Sequence, residues 1–166
     1  MNLKSVFLGI AAAATLSVSV HAQNVLPFYK NKQLPDFQLK LANGNLFTNA
    51  DLDKKDNVII TVFDPLCDHC VSQLDEFRRN NYKLKNTHII FMAPAGKAED
   101  AYKLSEMRQM QQFSTITLGV DQTRLIDTFY TVYGMPQSFL YNTQKQFVKL
   151  LPKEMPVDSF RVWLER

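Results

Sequence analysis

Hydrophobic positions along this chain follow two periods. Phe37, Leu39 and Leu41 alternate with Gln38 and Lys40, the period-two signature of a half-buried strand. Asn43-Gly44 then supplies two residues that tolerate the positive φ of a tight hairpin turn, and Leu46-Phe47-Thr48 reads as the return strand. Asn49 to Asp56 is polar apart from Leu52 and predicts a turn or a short helical piece. Val58 to Phe63 is a nearly continuous apolar run, as expected for a central strand buried on both faces, and Pro65 breaks it. From Cys67 onward the period changes: Cys70, Val71, Leu74 and Phe77 fall at helical spacing, with Asp75, Glu76, Arg78 and Arg79 outward. Asn80-Asn81 weakens that helix.

The alternation then repeats. His88 to Ala93 is a second buried strand stopped by Pro94. Lys97 to Phe113 is a helix candidate, with Ala101, Leu104, Met107 and Met110 or Gln111 tracing one face. Thr115 to Val120 is rich in β-formers, and Leu125, Ile126 and Phe129 mark a helix over Thr123–Tyr130. Ser138 to Tyr141 and Phe147 to Leu151 flank the turn Asn142-Thr143-Gln144-Lys145 and predict an antiparallel pair. Val157 to Arg166 is a terminal helix with Phe160, Trp163 and Leu164 inward, and Asp158 suits the positive end of its dipole. Strands alternating with helices predict an α/β domain whose parallel core sheet is covered on both faces. Neither an internal repeat nor a low-complexity segment interrupts it.

The N-terminus stands apart from this pattern. Lys4 precedes an apolar stretch from Val6 to Val20, and Val20-His21-Ala22 has the small-x-small form of a cleavage signal. The stretch is shorter than the ~20 apolar residues of a bilayer span, and no basic stop-transfer flank follows it. Residues 1–22 are therefore read as a secretory signal peptide, 23–33 as an extended lead-in and 34–166 as one domain. Cleavage after Ala22 leaves 144 of the 166 residues (166 − 22). The product is expected to be soluble after cleavage, without stable membrane insertion, in the periplasm or cell envelope of a bacterium.

Composition adds exclusions. At 46% hydrophobic and 21% charged the chain is neither disordered nor fibrous. The formal charge is +3, and no Lys/Arg run exceeds two residues, so no nucleic-acid partner is expected.

Candidate chemistry concentrates in Cys67-Asp68-His69-Cys70, which holds both cysteines of the chain at a strand-to-helix junction. Outside the cytoplasm such a pair can persist as a disulfide, yet a loop this short removes little unfolded-chain entropy and makes a poor staple. A zinc site needs about four ligands, and only His69 and His88 join the cysteines after leader removal, so no metal is expected. A redox pair remains the leading reading. A helix start presents free N–H groups and partial positive charge, which stabilise the thiolate of Cys67. Cys67 would attack a substrate disulfide and Cys70, a turn further in, would resolve the mixed disulfide. His69 and Asp68, lying between the sulfurs with opposite charge tendencies, are candidates for tuning the couple in opposite directions.

The strand, C-x-x-C, helix order, with Gly134-Met135-Pro136 ahead of a strand farther along, resembles the thioredoxin superfamily. The leader and the hairpin Phe37–Thr48 are similar to its TlpA/ResA-type branch of exported thiol–disulfide oxidoreductases. The resemblance implies a thioredoxin-like three-layer α/β/α sandwich with a mixed central sheet and an N-terminal β-hairpin. It implies Cys67 as nucleophile, Cys70 as resolving cysteine, Pro136 as a cis-proline, and Met135 lining the substrate groove. Tyr133, close by in sequence, is a further groove candidate. It implies no cofactor, and as partners protein disulfide or dithiol substrates and a redox partner protein. The chain departs from the family pattern at Leu66, where tryptophan is usual, and at Thr61, where cytoplasmic thioredoxins carry a buried acid; Asp64 and Glu106 are the substitutes to consider. Two alternatives share the fold: a peroxiredoxin-like peroxidase, and a copper-binding or delivery protein. Pro65 lies too close to Cys67, and Thr61 too far, for the peroxidase pattern.

Overall fold

The computed structural model describes residues 32–165; the signal peptide and most of the lead-in expected over 1–33 lie outside the described residues. A seven-stranded mixed sheet runs through the molecule in the order β2-β1-β5-β4-β3-β6-β7. In chain order the strands are β1 (Gln38–Lys40), β2 (Leu46–Thr48), β3 (Asn57–Val62), β4 (Thr87–Ala93), β5 (Ile116–Asp121), β6 (Gln137–Tyr141) and β7 (Phe147–Leu151). The helices are α1 (Asp68–Asn80), α2 (Ala98–Met107), α3 (Leu125–Thr128) and α4 (Val157–Leu164). β3, β4 and β5 are parallel, as the strand–helix alternation predicts. β6 and β7 are antiparallel to each other, and β6 is antiparallel to β3. The β1–β2 hairpin joins the other edge through β5, also antiparallel.

The two faces of β3 and β4 bury different cores. Ile59, Ile89 and Phe91 pack with Leu74 and Phe77 of α1, Leu104 of α2 and Phe160 of α4. Val58, Ile60, Val62, Ile90 and Met92 pack with Leu39, Phe139, Leu125 of α3 and Phe129 just after it. Strands buried on both faces are predominantly apolar, and β4 is buried at every position, with Thr87 and His88 at its start as the polar exceptions. The β1–β2 hairpin sits on β5 with little clearance. A Cβ on Gly119 would lie 2.8 Å from Leu39 Cβ and 3.2 Å from the Lys40 carbonyl, so only glycine fits there.

Two helices are shorter than the periodicity suggests. The candidate over 97–113 ends as α2 at Met107, because Gln109 adopts φ 50° and the chain continues as a short 3₁₀ turn over Met110–Gln112. Met107 is consequently exposed while Met110 is buried, a correction to their placement on one helical face. α3 is a single turn, opened by Arg124 at φ 59° and held by Asp121, whose carboxylate accepts from the Thr123 and Ile126 N–H groups at 2.9 and 3.0 Å. The second face of the sheet is therefore closed largely by Leu34, Phe37, Leu52, Phe129 and Tyr130 instead of a long helix.

Candidate active site

β3 delivers the chain to the site. After Val62, Phe63 donates its N–H to the Met92 carbonyl at 3.2 Å, and the chain then turns at Asp64. The Asp64 carboxylate accepts from the Leu66 N–H at 2.9 Å, and its carbonyl accepts from the Cys67 N–H at 3.1 Å. The same carboxylate pairs with Lys97 Nζ at 3.2 Å. This turn places Cys67 at the N-cap of α1, where its carbonyl receives the Cys70 and Val71 N–H groups, both at 3.0 Å. Its side chain therefore belongs to the positive end of the helix, where Sγ makes no cap hydrogen bond.

Both cysteines are free thiols with different surroundings: Cys67 is partly exposed, while Cys70, one turn in, is 0% exposed. Burial is the main cause that pushes the Cys70 thiol up to about 12; the Asp64 N–H directed at its sulfur opposes this, and Cys67 and the Asp64 charge add to the rise. The pair is thus divided into an accessible sulfur and a sheltered, protonated one.

The β6 end closes the site. The Met135–Pro136 bond is cis, and the Met135 carbonyl oxygen lies 3.9 Å from Cys67 Sγ. Gln137, fully buried, holds this loop by accepting from the Tyr133 N–H at 3.1 Å and donating to the Thr131 carbonyl at 2.8 Å. Tyr133 itself is 85% exposed, and Leu66, the residue before Cys67, is 65% exposed. Two large exposed side chains therefore lie in the two chain segments that meet at Cys67.

Sequence spacing does not reveal the partner of His69. Its Nδ1 lies 3.0 Å from Glu154 Oε2, a residue of the β7–α4 loop. Ser72 donates its hydroxyl to the other oxygen of Glu154. The Ser72 bond first, and His69 second, hold the Glu154 carboxyl below the usual range. Asp68 is exposed in the first turn of α1. Thr61 is buried and hydrogen-bonded to Ser138 at 2.9 Å, so no carboxylate occupies that position. Of the two substitute acids, Asp64 acts electrostatically on Cys70, whereas Glu106 lines a cleft of about 500 Å³ with Asn43, Met110 and Phe113. That cleft contains none of the cysteine-site residues.

His88 does not belong to the site. It pairs with Val58 at the start of β3, whereas the cysteines follow the end of that strand. Its Nε2 is 2.9 Å from Thr117 Oγ1, and its ring stacks on Phe47 at 5.1 Å. Among the described residues no three His, Cys, Asp or Glu side chains gather to hold a metal ion.

The sheet order and the C-x-x-C at the start of α1 define a thioredoxin-like protein. Solved structures agree on the fold. A DsbF homologue from Corynebacterium diphtheriae superposes with TM-score 0.63 at 8% identity, over 78% of this chain and 83% of that one. The exposed lipoprotein thioredoxin Etrx1 of Streptococcus pneumoniae gives 0.59 at 17% identity, over 79% and 98%. A secreted disulfide oxidoreductase of Mycobacterium tuberculosis, homologous to E. coli DsbE, gives 0.59 at 15% identity, over 75% and 90%. Protein disulfide isomerase-like 1-3 of Arabidopsis thaliana is 36% identical over 61 residues, 35% of this chain. The chain spans only 10% of the length of that relative. The model of the AhpC/TSA family matches residues 31–149, and the chain belongs to that family.

Proposed function

We propose that this protein is a thiol–disulfide oxidoreductase that exchanges disulfides with protein cysteines through Cys67 and Cys70 in the cell envelope. The observation that carries the reading is the asymmetry of the pair: Cys67 is reachable at a helix N-terminus, and Cys70 is buried and held protonated one turn below. In reduction, the Cys67 thiolate attacks one sulfur of a substrate disulfide. The S–S bond breaks, one substrate thiolate leaves, and a Cys67–substrate mixed disulfide forms. Cys70 then gives up its proton, for which the Asp64 carboxylate is the acceptor at hand, and attacks the Cys67 sulfur. The second substrate thiol leaves, and two electrons have passed from the dithiol to the substrate. Run in reverse, the same steps oxidise a substrate dithiol.

The Met135 backbone beside the sulfur supports β-type pairing with an extended substrate segment, with Met135, Pro136 and Tyr133 as its groove. The cell-envelope assignment rests on the leader pattern over 1–22. Among the described residues, no helix is long and apolar enough to cross a membrane.

The Cys67→Ser variant is expected to be inactive in insulin-disulfide reduction and in dithiol oxidation. The Cys70→Ser variant is expected to trap substrates as mixed disulfides. Unchanged activity in both variants would defeat the reading. Membership of the AhpC/TSA family favours a second reading, a thiol peroxidase. Rapid peroxide consumption with dithiothreitol as reductant would select it; an idle protein in that assay supports disulfide exchange.

A further inference from the structure

We propose that Glu154 is a positioning residue for the Cys67/Cys70 couple: it clamps His69 along the outer stripe of α1 and so keeps the couple more reducing than the bare Cys-Asp-His-Cys sequence would make it. The proposal rests on the oxidoreductase reading and names the group that sets its poise.

Helical geometry separates two stripes of α1. Cys70, Leu74 and Phe77 point into the core, while His69, Ser72, Glu76 and Arg79 follow one another at three- and four-residue spacing on another face. The β7–α4 loop is fastened onto that outer stripe. Buried Gln73 donates to the Met155 carbonyl at 3.1 Å and accepts from the Met155 N–H at 2.8 Å. Glu76 accepts from the Val157 N–H at 3.1 Å. These bonds hold residue 154 over the first turn of the helix. Its carboxylate then takes the Ser72 hydroxyl on one oxygen and His69 Nδ1 on the other. Glu76 is committed to Val157 and Asn80, so Glu154 is the carboxylate presented to the imidazole.

The clamp acts on the couple through the imidazole. An imidazole N–H held by Glu154 is not free to donate to a thiolate at Cys67, although it lies between the two cysteines. Losing that donor weakens the reduced form's thiolate, and the disulfide gains relative to the dithiol.

The test is the glutathione equilibrium of the full mature protein, read in wild type, Glu154→Ala, His69→Ala and the double variant. Thermal unfolding of each reports on folding separately, and Glu154→Gln is the milder replacement if the alanine variant unfolds. The expected result for Glu154→Ala is about a tenfold shift toward the dithiol, roughly 30 mV. His69→Ala alone should shift the constant less than about twofold, because the ring is already held off the sulfur. In the His69→Ala background, Glu154→Ala should lose most of its effect. A Glu154 variant within about twofold of wild type overturns the proposal, as does an equal shift with and without His69. A wild-type protein that forms no reversible disulfide with glutathione overturns the oxidoreductase reading itself, and the proposal with it.

Discussion

The division of labour between the two sulfurs gives a quantitative prediction for Cys70. Burial raises its thiol from the ordinary 9.0 to about 12. Near neutral pH that makes the thiolate about 10³-fold scarcer than on an ordinary cysteine. A more basic thiolate is also a better nucleophile. With a Brønsted slope of ~0.4–0.5 the gain over three units is about 20-fold, which leaves a net deficit of about 50-fold. The complete burial of the residue enlarges the deficit through restricted access. The Cys67→Ser variant isolates this thiol; it removes the contribution of Cys67 but leaves burial, the leading cause. Its reaction with a small aromatic disulfide such as dithiodipyridine, followed by absorbance, should run at least about 50-fold slower than that of glutathione near neutral pH. The rate should keep climbing with pH, with no plateau below about pH 10. A plateau below pH 9, or a rate matching glutathione, would refute the argument that Cys70 stays protonated until a mixed disulfide has formed above it.

Further tests concern the surroundings. Asp64→Asn keeps the oxygen that accepts the Leu66 N–H but removes the charge beside Cys70; release of the second substrate thiol should slow by about 10², with the first attack unaffected, in stopped-flow single turnover. An unchanged release rate would show that another group takes the proton. His88 has its pKa lowered from 6.5 to about 4, first by burial and then by Lys145, so the unfolded chain takes up its proton before the native state does. Stability is then lost as pH falls from about 6.5 toward 4, by about 2 kcal/mol between pH 7 and pH 5. Urea titrations should show this loss in wild type and not in His88→Phe; equal pH dependence in the two would count against it. Gly119→Ala forces β1 off β5 and should lower stability by about 1–3 kcal/mol, seen as a shifted urea midpoint. A midpoint within error of wild type would mean that the hairpin yields freely.

Local chemistry carried much of this molecule. The period of hydrophobic residues determined where strands and helices run, because a strand buried on both faces is apolar at most positions and a helix covering it must repeat every three to four residues. Asn43-Gly44 determined the hairpin, whose Gly44 has φ 83°. The C-x-x-C spacing placed one cysteine at the helix start and the other inside, since residues three apart lie one helical turn apart. What patterning misjudged were helix ends set by unusual backbone, at Gln109 and Arg124, residue types that carry no obligatory turn signal. Tertiary structure alone decided the rest. It set the antiparallel entry of β6 beside β3, which brings Met135 to Cys67 across 68 residues of chain. It chose Asp64 over Glu106 as the acid near Cys70, and it placed His88 at the far end of the sheet. It also delivered Glu154 to His69 across 85 residues, through a loop whose register depends on Gln73 and Glu76. Periodicity is a property of neighbours in the chain and can be read from them. The partners of a polar side chain depend on which loops the packed sheet and helices bring together, and that is settled only when the core has closed.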